Sequence, residues 1–151
     1  MSRKPDTLKP HVREALTVAT NYMDSHGIRY MITDCYRTAA EQQALFAQGR
    51  ESLEMVNIKR QTAGLPDIGR ADNGYTVTKC DGVRNLSNHQ SGLAVDVVPV
   101  DAHGNAYWPP SDAPQWVVIS TVMKAAGFSW GGDWKSFPDA PHFEMKDGGK
   151  L

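Results

Sequence analysis

Ser87-Asn88-His89-Gln90-Ser91-Gly92-Leu93-Ala94-Val95-Asp96-Val97-Val98 is the stretch on which the reading of this chain turns. Its second half, Ala94-Val95-Asp96-Val97-Val98, is apolar and β-branched and predicts a buried strand. Alternation places Ala94, Asp96 and Val98 on one face and Leu93, Val95 and Val97 on the other. A carboxylate inside such a strand is costly unless it is paired or holds a metal. His89 precedes the strand across Gly92, so a loop can fold its imidazole back over the Asp96 face. Two readings stand here. One is a pair of metal ligands; the other is a buried aspartate satisfied by backbone N–H groups, beside a surface histidine.

Farther along, Trp130-Gly131-Gly132-Asp133-Trp134-Lys135-Ser136-Phe137-Pro138-Asp139-Ala140-Pro141-His142-Phe143-Glu144-Met145 is dense in Trp, Gly, Pro, His and acids. Pro138 and Pro141 impose an extended path on either side of Asp139. His142-Phe143-Glu144-Met145 predicts a short strand with His142 and Glu144 on one face. As plain structure, this is an aromatic-rich loop entering an edge strand, with His142 partly exposed. As chemistry, His89, Asp96 and His142 supply two imidazoles and a carboxylate. That is enough for three ligands to a catalytic Zn²⁺ with a fourth position open. A second carboxylate, Asp139, sits three residues before His142.

The order Ser87-x-His89-x-x-Gly92-x-Ala94-x-Asp96, Trp130-Gly131-Gly132-Asp133-Trp134, Asp139-x-Pro141-His142-Phe143 resembles the L-alanyl-D-glutamate peptidases of phage and prophage lysis cassettes. These share a zinc fold with the D-alanyl-D-alanine carboxypeptidases and the vancomycin-resistance dipeptidases. Upstream, Tyr36-Arg37-Thr38-Ala39-Ala40-Glu41-Gln42-Gln43-x-Leu45-x-x-x-Gly49-Arg50 is similar to that group's arginine-bearing helix start. The resemblance covers roughly residues 10–145. It implies that His89, Asp96 and His142 bind zinc and that Asp139 is the general base. It also implies that Arg37 holds the substrate or the developing oxyanion. Glu144, on the His142 face, is the rival base and otherwise an acid supporting a ligand.

Arg37 has a local context of its own. Thr38-Ala39-Ala40-Glu41 is a capping box, so a helix starts at Thr38 and runs to about Gln48, with Gly49 as its stop. Arg37 then stands at a strand-to-helix corner, at the positive end of the helix dipole, where an anionic group is favoured. Its guanidinium can grip a carboxylate bidentately. Without the resemblance, a solvated surface arginine is the simpler reading; with it, substrate binding is favoured. Gln43, Ser87 and Trp130 are further contact candidates. Trp130, Trp134 and Phe137 serve equally well as a cleft wall or as core packing.

A chain of 151 residues at 40% hydrophobic suits one globular domain with a real core. Residues 1–9 read as a polar N-terminal extension, and 51–71 as an insertion, either a lid or a solvated excursion. The formal charge of −1, without Lys/Arg clusters, argues against nucleic-acid and membrane-surface binding. No run of about 18 apolar residues exists to span a membrane. Met1-Ser2-Arg3-Lys4-Pro5-Asp6-Thr7 has no signal-peptide pattern. The expectation is a monomer kept in the cytoplasm until release, which the resemblance would assign to a holin. Cys35 and Cys80 are expected as free thiols, Cys35 packing as a small hydrophobe. His11, His26 and His103 read as ordinary surface histidines.

Punctuation yields helices at about Pro10–Ser25, Thr38–Gln48 and Pro114–Ala126, and strands at Arg29–Tyr36, Leu93–Val98 and His142–Met145. Asp72-Asn73-Gly74 before Tyr75-Thr76-Val77-Thr78 is a candidate hairpin turn. The class is α+β: a small, largely antiparallel sheet flanked by helices, which the resemblance makes a hedgehog/D-Ala-D-Ala-peptidase-like zinc fold. Three functions follow in order of preference. The first is a zinc endopeptidase cutting the L-Ala–D-Glu bond of peptidoglycan stem peptides. The second is a D-alanyl-D-alanine carboxypeptidase or dipeptidase. The third is a non-catalytic, zinc-stabilised binding module.

Overall fold

The structure, a computed structural model, describes residues 1–147. The chain divides into two compact units, one of Ser2–Tyr36 with Gly92 onward, the other of Arg37–Ser91 with Met1.

The first unit is a four-stranded sheet with two helices. Helix α1 (Pro10–Ser25) begins on a proline, whose missing N–H is harmless in the first turn. It buries Val12, Leu16, Ala19 and Met23, the four-three-four spacing of one helix face. Tyr22 is exposed instead and stacks on His26. Strand β1 (Tyr30–Asp34) is shorter at both ends than the periodicity suggested. It pairs with β2 (Ala94–Pro99), β2 with β4 (His142–Glu144), and β4 with β3 (Ser129–Trp130), all antiparallel, in the order β1-β2-β4-β3. Helix α4 (Pro114–Ala125) ends before Gly127, which adopts a φ of 110°. The sheet and helices enclose one apolar cluster that includes Leu16, Met23, Leu93, Val95, Val97, Ile119, Met123 and Phe143. Leu93, Val95 and Val97 face that cluster together, as alternation requires. Leu8 also packs into it, and Lys9 donates its backbone N–H to the Gly92 carbonyl.

Strand β4 differs from the plain structural expectation of an edge strand. It lies inside the sheet, and His142 is buried. The two-residue strand β3 supplies the outer neighbour and is too short to leave a periodic signal in the sequence.

The second unit carries α2 (Ala39–Ala47) and α3 (Leu53–Thr62). The capping box forms in full, Thr38 accepting from the Glu41 N–H and Glu41 from the Thr38 N–H. Ser52 caps α3. The segment 51–71 is therefore an ordered helix and return. Asn57 exchanges two hydrogen bonds with the Ile68 backbone, and Arg60 donates to the Pro66 carbonyl. The hairpin expected at 72–78 does not form. Asp72–Gly74 is one turn of 3₁₀-helix, and Tyr75–Thr78 joins no strand. A type I′ turn needs positive φ at both Asn73 and Gly74, and neither has it. Asn73 is engaged otherwise, accepting from the Gly49 N–H and donating to the Glu51 carbonyl. Gly49 adopts a φ of 79°, and a Cβ there would stand 2.6 Å from the Tyr75 carbonyl carbon.

Cys35 and Cys80 are free thiols. Burial first, then the charges of Asp34, Asp96 and Asp6, pushes the Cys35 thiol up to about 12. It is a neutral, inert packing group.

Candidate metal and catalytic site

Asp96 and His142 are brought together by strand register. They are direct partners across β2 and β4, and on the other side of β2 the partner of Asp96 is Asp34. A bulge between Ile32 and Asp34 shifts β1 at that point, which puts a second carboxylate in the same row. Asp34 is buried. Nothing in the sequence singled it out, because a bulge breaks the alternation on which strand reading depends.

His89 arrives from the loop before β2. Ser87 donates its N–H to Gln90 Oε1, Ser87 Oγ accepts from the His89 N–H, and Gln90 Nε2 donates to the Gly82 carbonyl. Gly92 closes the loop at a φ of 70°, where its missing Cβ would stand 3.3 Å from the Lys9 backbone nitrogen. His89 is almost wholly buried, and its ligand atom lies within 4.8 Å of those of Asp96 and His142. Donors at about 2.1 Å from a tetrahedral ion stand roughly 3.4 Å apart. His142 Nδ1 and Asp96 Oδ1 are 3.6 Å apart. Nitrogen and oxygen donors at this spacing suit Zn²⁺.

The other ring nitrogen of His142 is committed: Nε2–H donates to Glu144 Oε1 at 2.7 Å. That bond fixes the ring so that Nδ1 faces Asp96 and becomes the ligating nitrogen once its proton is lost, the usual way a carboxylate orients a metal-binding histidine. Burial alone would lower the His142 pKa. The bonds to Asp96 and Glu144 and the charges of Asp96 and Asp139 outweigh it and raise the pKa to about 9. A cation bound by His89, Asp96 and His142 thus has the His142 proton to displace.

Asp139 is half-buried, its N–H bonded to the Gly131 carbonyl and its own carbonyl to the His142 N–H. Trp134 tilts against the His142 ring, centroids 5.0 Å apart, and remains 38% exposed. Trp130 packs against the apolar cluster and donates its indole N–H to the Ala140 carbonyl at 2.6 Å.

Arg37 is buried just before the α2 cap. It donates through a guanidinium N–H to Gln42 Oε1 at 2.7 Å and through its backbone N–H to the His89 carbonyl. Gln42, fully buried, donates in turn to Thr78 Oγ1 and the Cys80 carbonyl. Gln43, the contact candidate from the sequence, is exposed. One position is about 100° of helix rotation, so the inward glutamine is Gln42. Only the partners of Arg37 could have revealed it.

Residues 81–145 match the model of a family described as D-alanyl-D-alanine carboxypeptidase. The chain is 29% identical over 147 residues to the peptidoglycan L-alanyl-D-glutamate endopeptidase CwlK of Bacillus subtilis, covering 93% of this chain and 75% of that one. The fold is shared with the L-Ala D-Glu endopeptidase ChiX of Serratia marcescens, with a TM-score of 0.58, 19% identity, and 94% and 83% of the two chains covered. It is also shared with the vancomycin-resistance D,D-pentapeptidase VanY, solved with Zn(II), with a TM-score of 0.56, 16% identity, and 91% and 71% covered. The chain is thus similar in sequence to a peptidoglycan endopeptidase and shares the fold of ChiX and VanY. The matched residues 81–145 span His89, Asp96, Asp139 and His142. Arg37 and Gln42 lie upstream of the matched segment. No helix among the described residues is long and apolar enough to cross a membrane.

Proposed function

We propose that this protein is a zinc-dependent peptidoglycan endopeptidase that hydrolyses the L-Ala–D-Glu bond of cell-wall stem peptides. The observation that carries the reading is the close grouping of His89, Asp96 and His142, with the Asp139 carboxylate near enough to act on the His142 charge. Zinc held by the three residues supplies a Lewis acid that polarises the scissile carbonyl and acidifies the attacking water. Asp139 takes the proton of that water and delivers it to the leaving amine, a step worth about 10²–10⁴ in rate. Glu144 is spent on orienting His142 and so is not the base. Arg37, steadied by Gln42, anchors a D-Glu carboxylate by a charge-assisted pair. Trp134, partly exposed beside His142, faces the peptide, with Ser87 shaping the His89 loop.

Likeness to CwlK supports the choice of bond. A cut at a D-Ala terminus uses the same residues, and the description of the matching family favours it as the second reading. In this reading the enzyme acts as a monomer and stays in the cytoplasm until a holin opens the way to the wall. Digestion of purified sacculi followed by mass spectrometry decides the bond. New D-Glu amino termini are expected; release of free D-Ala alone would move the protein to the carboxypeptidase branch. Asp139→Ala should keep one zinc per chain and lose about 10²–10⁴ of the rate; a brisk Asp139→Ala enzyme would remove the base assignment.

A further inference from the structure

We infer that Trp130, Gly131 and Gly132 form a clamp that positions Asp139 and His142, and that Trp130 is a positioning residue and not a substrate contact. The inference rests on the reading of Asp139 as the base. The run Asp139-Ala140-Pro141-His142 belongs to no helix and enters β4 only at its last residue. Its backbone is nonetheless tied at every step. The Asp139 N–H donates to the Gly131 carbonyl at 2.9 Å, and the His142 N–H to the Asp139 carbonyl at 3.2 Å. The Ala140 carbonyl accepts the Trp130 indole N–H at 2.6 Å, and the Pro141 carbonyl accepts the Val97 N–H at 2.9 Å.

The two glycines permit this by what they lack. A Cβ on Gly131 would stand 2.4 Å from the Asp139 carbonyl oxygen and 3.0 Å from the His142 Cβ. A Cβ on Gly132 would stand 2.2 Å from the Trp130 ring. Any side chain at 131 therefore drives Asp139 and His142 away, and any at 132 displaces the indole that holds Ala140. Trp130 is braced on its own account, stacked on Phe143 at an interplanar angle of 15° with Lys124 over its ring. An indole covered this way, with its one donor spent on the chain, has little to offer a peptide. The loop ahead of Asp139 is equally constrained. Phe137 holds a φ of 55°, which a bulky residue keeps only when its surroundings impose it. Placement matters because proton transfer tolerates little error: a misplacement of about 1 Å can cost 10²-fold in rate.

Trp130→Phe tests this, since it keeps the ring on Phe143 and removes the N–H donor. The zinc-loaded variant should keep one zinc per chain, lose at least about 10-fold in kcat and leave KM unchanged. Unchanged kcat, or a raised KM with kcat intact, would overturn the clamp, the second outcome making Trp130 a substrate contact. Amide exchange in the zinc-loaded protein is a readout separate from activity. Asp139 and His142 should exchange at least about 10-fold faster in Trp130→Phe, with the α1 amide of Leu16 unchanged. If that variant does not fold, wild-type protein suffices: the Trp130 indole N–H and the Asp139 amide must be protected, and free exchange of either refutes the clamp. Should the enzyme cut a different bond, the proposed substrate fails, and the kcat and exchange comparisons still stand on the bond actually cut.

Discussion

The sheet unit and the Arg37–Ser91 unit are held together by different means. In the sheet unit, α1, α4 and four strands share one apolar cluster, from Leu8 to Met145. In the other, the buried apolar residues are few, Ala44, Ala47, Val56 and Leu65, and buried Gln42, Gln48 and Arg60 lie among them. There, side chains answer backbone groups: Gln42 to Cys80, Gln48 to Asp72, Arg60 to Pro66, Asn73 to Glu51, Gln90 to Gly82. An apolar core is non-directional and tolerates small shifts, whereas a polar network works only when every partner is in place. The polar unit is the one that holds the Arg37 guanidinium and folds the His89 loop.

The largest effect that would test this contrast is in the core. Leu16→Ala should cost about 2–5 kcal/mol in denaturant unfolding. Val56→Ala, in the polar unit, should cost clearly less; equal costs would erase the difference between the two regions. Next comes pH. The folded pKa of His142 is raised to about 9 from 6.5, so its stabilising contribution is complete below pH 6.5 and is lost as pH rises through 9. Metal-free protein should lose roughly a few kcal/mol over that window, read as a falling Tm that flattens in His142→Asn. A Tm that holds steady or climbs toward pH 9.5 contradicts the assignment. Zinc affinity should rise over the same range, because ligation needs the neutral ring.

In the polar unit, Gln42→Ala removes a partner of the Arg37 guanidinium and of the Cys80 carbonyl, at about 1–3 kcal/mol. The same variant should raise KM more than it lowers kcat, as expected if Arg37 is an anchor. Turnover kinetics identical to wild type would separate Arg37 from substrate binding. The smallest effect is expected at Thr38→Ala, which removes half of the capping box of α2 and should cost about 1 kcal/mol. A cost several times larger would mean that α2 depends on its cap more than on its packing.

The same division explains what could be read in advance. Helix α1 was legible to its end residues because its apolar face repeats at the helical period and Pro10 and Gly27 punctuate it. The α2 start was legible because a capping box is a local pattern. The hairpin expected at 72–78 gives way because Asn73 serves Gly49 and Glu51, partners more than twenty residues away. Nothing in the sequence places β4 inside the sheet, because its outer neighbour β3 is two residues long. The inward turn of Gln42 and the place of Asp34 beside Asp96 are not legible, because burial and register are not written in residue type.

Residue type and order suffice for the α+β class, the apolar faces of α1 and β2, and the donor types of His89, Asp96, His142 and Asp139. These follow from periodicity and from the chemistry each side chain carries. Tertiary structure alone decided that Asp96 and His142 are cross-strand partners and that His142 spends one ring nitrogen on Glu144. It alone decided that Arg37 leans on Gln42, and that Trp130, Gly131 and Gly132 close on the Asp139 segment. Each of these is a contact between atoms distant in the chain or turned by backbone geometry, and such contacts exist only once the strands have registered and the loops have closed.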